Sequence, residues 1–419
     1  MIRPLLLLAL AAFLIPSTGL AALHRTITEF GAVADAKTLN TEAIQRAIDD
    51  VAKAGGGVVE IPQGTFLSGA IFLKSGVELF LGDGAVLQGS NRIEDYPKRE
   101  TRIEGHFEPW RMALVNAQQM DRVRITGHGR LDGNGAIFWA AFWQRRKENP
   151  RCTNLEVERP RLMFIDRCKD VRIAGISLEN SGFWNLHLYR CQDVTLEGLT
   201  IKAPSRGKLL APSSDGIDID SSQNIVVRKC KISVNDDNIA LKGSRGPFAD
   251  KDKDSPPVEN IRVEDCEFGD GNGIITCGSE ATLVRNVTVK NVEITGHTVL
   301  LNLKLRADTP QRYEHILIDG VKLSGEGQIL RVKPWHQFFD LQGQPPPTRV
   351  VDDVVIRNVS GDYRAFGEIA GADGDTIRNV TLENFSVNLA KPKLLVSGAG
   401  VENLVFRNIV VNGKNVEAP

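Results

Sequence analysis

The chain is 419 residues long, with 51 Lys and Arg against 52 Asp and Glu, 39 glycines and 6% aromatic residues. A formal net charge of -1 spread over mixed signs leaves no electrostatic footprint for nucleic acid or an anionic membrane, so neither is an expected partner. At 42% hydrophobic and 25% charged the composition suits a packed globular protein and excludes a disordered one.

The first predicted element is removed before folding. Residues 1–22 read as a secretory signal: Arg3 gives the positive start, Leu5 to Ile15 an apolar run, and Gly19-Leu20-Ala21 a small-x-small cleavage site. The run falls short of the ~20 apolar residues that span a bilayer, and no later stretch reaches that length. The mature chain, 23–419, is therefore expected as a single exported domain, periplasmic or secreted, without a membrane span.

Next comes a helix over 41–54. Ile44, Ala47, Ile48, Val51 and Ala52 form one stripe, Asn40 or Thr41 can cap it, and Gly55-Gly56-Gly57 stops it. Strands follow at 57–62 and 70–74. Residues 97–159, richer in Trp, Arg and His, lose the regular pattern and read either as a groove wall or as a surface insertion.

The remainder is a repeat. An Asn or Asp opens an alternating apolar run, a Gly or Asn follows, and a second run completes the unit; from Asp170 the starts are Asp193, Asn224, Asn260, Asn286, His315, Asp353, Asn379 and Asn403. The intervals are 23, 31, 36, 26, 29, 38, 26 and 24 residues. A period in the twenties with two short strands per unit means a solenoid, because no unit can bury its inner face alone. Leucine-rich repeats lack a match here, since their Leu-x-x-Leu-x-Leu spacing is missing. The fold class expected is all-β, a parallel β-helix with a short N-terminal capping helix, and the longer intervals mark loop insertions. Cys168 with Cys191, and Cys230 with Cys266, hold equivalent repeat positions, so each pair is either a disulfide between coils or two stacked thiols.

One coil carries unusual acids. Asp215-Gly216-Ile217-Asp218 is followed, 21 residues after Asp215, by Asp236-Asp237, about one short coil later. Carboxylates that close raise at least one pKa, so one can stay protonated while others ionise, the arrangement glycoside hydrolysis requires. Asp and Asn also cap solenoid turns, but turn chemistry needs no such convergence.

At Asp215-Gly216-Ile217-Asp218 and Asp236-Asp237-Asn238 the chain resembles the polygalacturonase family, glycoside hydrolase family 28, whose members are right-handed β-helices that cleave pectin. Further similarity lies at Phe30-Gly31-Ala32, Leu131-Asp132-Gly133-Asn134-Gly135, Asn180-Ser181 and Gly278-Ser279-Glu280. The resemblance implies an inverting hydrolase with Asp236 as general acid and Asp215 and Asp237 holding the attacking water, the acid and base ~6.5–9.5 Å apart, with no metal or other cofactor. Three departures stand out. Ser213-Ser214-Asp215 replaces Asn-Thr-Asp, Gly271-Asn272-Gly273 replaces Gly-His-Gly, and Lys304-Leu305-Arg306 aligns with Arg-Ile-Lys. Asn272, Lys304 and Arg306 are expected to bind substrate, the two cations clamping a uronate carboxylate or else standing as solvated charges. The expected partner is a pectic oligo- or polysaccharide, acted on by a monomer in exo fashion or within rhamnogalacturonan, with insertions at 205–211 and 247–257 closing one groove end. The competing classes are Ca-dependent elimination of the pectate-lyase type and a non-catalytic glycan-binding β-helix.

Overall fold

The computed structural model describes residues 23–337 and 339–419, so the signal sequence over 1–22 lies outside the described residues. Thirty-one strands join one sheet that is parallel throughout except for a closing pair at the C-terminal end. Helix Thr41–Lys53 covers the N-terminal end of the stack and buries Ala43, Ile44, Ala47, Ile48 and Val51, as its apolar stripe predicts. The Asn40 side chain does not cap it. Its amide instead ties the preceding loop, accepting from the Val33 amide at 2.7 Å and donating to the Val33 and Thr38 carbonyls. Gly57 resumes the sheet, and only glycine fits: a Cβ there would lie 2.1 Å from the Leu23 carbonyl oxygen of the neighbouring strand.

The repeat has a physical cause in its opening residue. Asp170, Asp193, Asn224, Asn260, Asn286, His315, Asp353, Asn379 and Asn403 all have φ between 50° and 60°. This left-handed corner costs an ordinary side chain ~1–2 kcal/mol but suits Asn and Asp. Stacking then adds a ladder of amides, Asn260 donating to Asn224 at 2.9 Å and Asn286 to Asn260 at 3.2 Å. The four repeat cysteines are buried free thiols; they stack in register, the Cys230 amide 3.4 Å from the Cys266 sulfur, and form no disulfide.

Each coil holds three strand positions, one more than the repeat indicates. The third ladder runs through Val115–Gln118, Met163–Asp166, Leu186–Tyr189, Ile217–Asp220, Ile239–Lys242 and Ile275–Cys277 to His297–Arg306 and Glu326–Trp335. Where the first ladder alternates buried and exposed, as in Gln192–Glu197, Leu186–Tyr189, Ile217–Asp220 and Ile239–Lys242 are buried at every position. Their outward residues differ from coil to coil and face a covered groove, so they carry no periodic signal.

Because Asn260 both donates and accepts in the ladder and sits at φ 60°, Asn260→Val is expected to lower stability by about 1–2 kcal/mol more than Asn260→Gly, which tolerates that backbone. Thermal melting of the two variants measures this; equal midpoints would show that the corner carries no conformational constraint.

Candidate active site

The third ladder places the acids. Ile217 pairs with Ile239, so the residues just before these strands, Asp215 and Asp237, occupy equivalent turns of adjacent coils, with the Gly216 amide donating to the Asp237 carbonyl at 2.9 Å. Asp236 is the neighbour of Asp237 in the same turn. The three carboxylates offer oxygens that all lie within 4.8 Å of one another. The short separation follows from coil stacking at ~4.8 Å, which fixes how far apart equivalent turns can be.

Three like charges this close need counter-charge, and two lysines supply it. Lys304 Nζ contacts Asp237 at 2.7 Å, with the Thr276 hydroxyl donating to the other Asp237 oxygen at 2.7 Å. Lys242 Nζ sits 3.3 Å from Asp215, 3.6 Å from Asp218 and 3.8 Å from Glu280. Asp237 is thus held by donors on both oxygens, a setting that suits an anion. Asp236 is different: burial first, then the Asp237 charge, raises its pKa, against a 3.0 Å hydrogen bond donated by Asn272 Nδ2. Burial also pushes Asp215 up to about 7 against the pull of Lys242. Behind it, burial and the Asp215 charge hold Asp218 well above the usual carboxylate range. Neither Asp218 oxygen has a hydrogen-bond partner among the described residues. The cluster therefore holds two carboxyls raised by burial, Asp236 and Asp215, beside Asp237, whose two oxygens both accept from donors. A divalent cation is a poor fit. The ammonium groups of Lys304 and Lys242 already occupy the outer edges of Asp237 and Asp215, where a calcium site would need free carboxylate oxygens.

The acids open into a cavity of about 700 Å³ whose far wall is the irregular segment. Strands Lys98–Ile103 and His106–Arg111 form an antiparallel hairpin, and its Glu104, His106 and Glu108 reach the cavity together with Asn154 and Leu155. Part of 97–159 is thus a groove wall, the hairpin with residues 153–155, while Val115–Gln118, Asp121–Gly127 and Arg130–Asp132 between them are strands of the sheet. Buried charge locks the hairpin down: Arg102 donates to Asp220 and Ser244, both at 3.0 Å, while Arg161 donates to the Arg102 carbonyl at 2.8 Å and to Thr101 at 3.0 Å. Burial lowers the His187 pKa to about 4, so its neutral Nδ1 accepts from Arg161 at 2.7 Å and its Nε2 faces Asp220 at 3.5 Å. By contrast, the insertions at 205–211 and 247–257 do not line this cavity. They brace the outside, Arg206 on Asp270 at 2.6 Å and Asp254 on Arg190.

The cations are rearranged relative to the expectation. Arg306 lines the cavity, but its Nε and Nη2 are bound to Asp308 at 2.7 and 3.0 Å and its Nη1 lies 3.7 Å from Glu280, so it cannot give a carboxylate the two-pronged clamp expected of it. Its guanidinium is instead a buried strut. Sequence reasoning missed Arg331 and Lys333, which register opposite Asn302 and Lys304 one coil later. Arg331 reaches back to Asn302 at 3.0 Å and to the Asn272 carbonyl at 3.0 Å, and both residues line the cavity beside Trp335, whose ring lies 5.1 Å from Lys304 Nζ. The signal was present: Arg331-Val332-Lys333 is an Arg-x-Lys in the right alternation, one coil beyond the segment aligned.

Comparison with known proteins agrees with this geometry. The family model described as "Glycosyl hydrolases family 28" matches residues 57–403. The chain is 30% identical over 284 residues to an endo-polygalacturonase of Pectobacterium carotovorum subsp. carotovorum, covering 65% of this chain and 65% of that protein. It is 30% identical over 324 residues to an exo-poly-alpha-D-galacturonosidase of Dickeya chrysanthemi, covering 66% of this chain and 51% of that one. The matched stretches are thus under two thirds of either relative. Among solved structures, a hyperthermoactive exopolygalacturonase from Thermotoga maritima superposes with a TM-score of 0.72 at 23% identity, covering 94% of this chain and 93% of that one, which establishes the shared β-helix fold.

Asn272 stabilises the ionised form of Asp236, so Asn272→Ala should raise the Asp236 pKa further. Activity that depends on a protonated Asp236 is lost as pH rises through that pKa, so the alkaline limb of the kcat/KM profile moves to higher pH. A limb that stays put or moves down would show that Asp236 is not the proton donor.

Proposed function

The chain belongs to glycosyl hydrolases family 28, and from that membership we propose that it hydrolyses galacturonate-containing glycosidic bonds in pectin, working from a chain end. The observation that carries this reading is the compact Asp215, Asp236 and Asp237 cluster with Lys304, Arg331 and Lys333 beside it on the next coils. Acids to break the bond and cations to hold an acidic sugar share one cavity.

In this reading Asp236 protonates the glycosidic oxygen as the bond to the anomeric carbon breaks. Asp237, held by Lys304 and Thr276, takes the proton of a water on the opposite face of the ring, and Asp215 helps to hold that water. Attack opposite the leaving oxygen inverts the anomeric centre. Asn272 and Lys304 meet the substrate within the same cavity, and Arg331 with Lys333 takes the carboxylate-binding role expected of Arg306. The end-on mode rests on the hairpin, whose Glu104, His106 and Glu108 line the same cavity as the acids and narrow the room for a long chain. Glu104 suits such a wall, since burial and the Glu280 charge raise its pKa and favour a neutral carboxyl near a polyanion. Action within rhamnogalacturonan is the competing substrate choice. Calcium-dependent elimination is disfavoured by the lysines that already neutralise the acids. We further propose that 23–419 is one exported domain that works as a monomer.

The test uses galacturonan and rhamnogalacturonan oligosaccharides of defined length. Release of single galacturonate units with inverted anomeric configuration, read by proton NMR during the first turnovers, is the expected outcome. Unsaturated products or retention of configuration would sink the mechanism, and mid-chain products would sink the end-on mode. Asp236→Asn is expected to lose about 10²–10⁴-fold in kcat while still binding oligosaccharide, measured by turnover and by calorimetry.

A further inference from the structure

Three buried guanidinium groups of this chain rest on carboxylates: Arg102 on Asp220, Arg306 on Asp308 and Arg349 on Asp375. Arg159 is wholly buried and has no such partner among the described residues. Its hydrogen bonds go instead to three neutral oxygens, the Pro212 carbonyl at 2.7 Å, the Asn154 carbonyl at 3.1 Å and the Ser213 hydroxyl at 3.3 Å. The ring centroids of Phe142, on helix Ala136–Glu148, and of Phe183 lie 4.4 and 4.5 Å from its Cζ. Aromatic faces attract a cation but offset only part of the cost of burying one without a counter-ion. A residue this expensive calls for a reason in what it holds.

The segment 211–214 leads into Asp215 and is gripped at every residue. The Asn235 side chain donates to the Ala211 carbonyl at 3.0 Å, Arg159 donates to the Pro212 carbonyl and the Ser213 hydroxyl, and the Asn235 amide donates to the Ser214 hydroxyl at 3.2 Å. Asn235 directly precedes Asp236, so this segment joins the turn of Asp215 to the turn of Asp236. Ser213 also sits at φ 52°, a left-handed conformation that ordinary side chains avoid. The two bonds from Arg159 fall on either side of the N–Cα bond about which that angle turns, so one rigid fork holds the angle. The third bond, to Asn154, anchors the fork to the groove wall, where Asn154 and Ser213 line the same cavity as the acids.

We propose that Arg159 is a positioning residue for the hydrolysis: its guanidinium ties Pro212 and Ser213 to the groove wall at Asn154 and so holds the Asp215 turn and, through Asn235, the Asp236 turn in fixed relation. The proposal rests on the functional reading above. The charge has a consequence of its own. The charged and titratable groups that face Arg159 are Glu104, Cys152, Asp236 and Arg146, and burial pushes its pKa down to about 9, which leaves it cationic near neutral pH. A cation there favours the ionised form of Asp236. Geometry thus belongs to the fork and proton affinity to the charge, and substitution can separate the two.

The test measures trigalacturonate turnover across pH, together with thermal melting, for the full protein and for Arg159→Lys, Arg159→Met and Ser213→Ala. Arg159→Lys keeps the charge but loses the fork, so kcat is expected to fall about tenfold, with KM changed by less than about twofold and the alkaline limb of the kcat/KM profile in place. Arg159→Met removes fork and charge, so kcat is expected to fall about a hundredfold and the alkaline limb to move to higher pH. Ser213→Ala drops one bond and strands no charge, and an expected loss of about threefold in kcat keeps the proposal testable where Arg159→Met does not fold. A merely structural Arg159 would lower the melting temperature while the folded protein kept its kcat. Unchanged kcat per folded molecule in Arg159→Lys and Ser213→Ala therefore overturns the proposal and leaves the functional reading standing. If the full protein hydrolyses no uronide, the functional reading fails and takes this proposal with it.

Discussion

Coil stacking at a fixed spacing is the constraint on which the rest depends. Neighbouring turns can be no farther apart than neighbouring strands, so putting Asp215 and Asp237 on equivalent turns brings three carboxylates within 4.8 Å of one another. Nothing else about the site is free after that. The repulsion demands buried ammonium groups, and Lys242 and Lys304 are those groups. Burial and mutual charge raise Asp236 and Asp215 beside Asp237, whose oxygens accept from Lys304 and Thr276.

The groove floor inverts the usual logic of a solenoid. On the first ladder, inward residues are apolar and outward ones solvated, and the energy lies in stacking of Val, Ile and Leu. On the third ladder the outward face is itself buried, under the hairpin and its charge network. Arg102 and Asp220 are each only 1% exposed. Breaking such a pair by removing one partner typically costs ~3–5 kcal/mol, because the other charge is left stranded. The hairpin is therefore fixed by Ile217–Asp220, the strand that directly follows Asp215. Asp218 and Asp220 are two positions apart on Ile217–Asp220, one contacting Lys242 beside the acids and one Arg102 of the wall.

The sequence made much of this legible, and the reason differs by residue. Asn224, Asn260, Asn286, Asn379 and Asn403 were readable as a repeat because a left-handed corner restricts residue type. The capping helix was readable from its stripe, and Asp215, Asp236 and Asp237 from their spacing of about one coil. The third strand of each coil was not readable, because residues such as His187, Asp218, Ala240 and Thr276 stack in one column yet serve different purposes. Arg306 misled for a related reason. Alternation gives its face but not its partner, and Asp308, two residues on, takes its guanidinium. The hairpin network joins Arg102 to Asp220 across 118 residues, a distance no local pattern encodes.

The proposed chemistry turns on where one proton resides, and neutron diffraction on the deuterated protein near neutral pH measures that directly. The result expected is a deuteron on an Asp236 carboxylate oxygen and none on Asp237, with full ammonium groups on Lys242 and Lys304. A deuteron on Asp237 with a bare Asp236 would contradict the account.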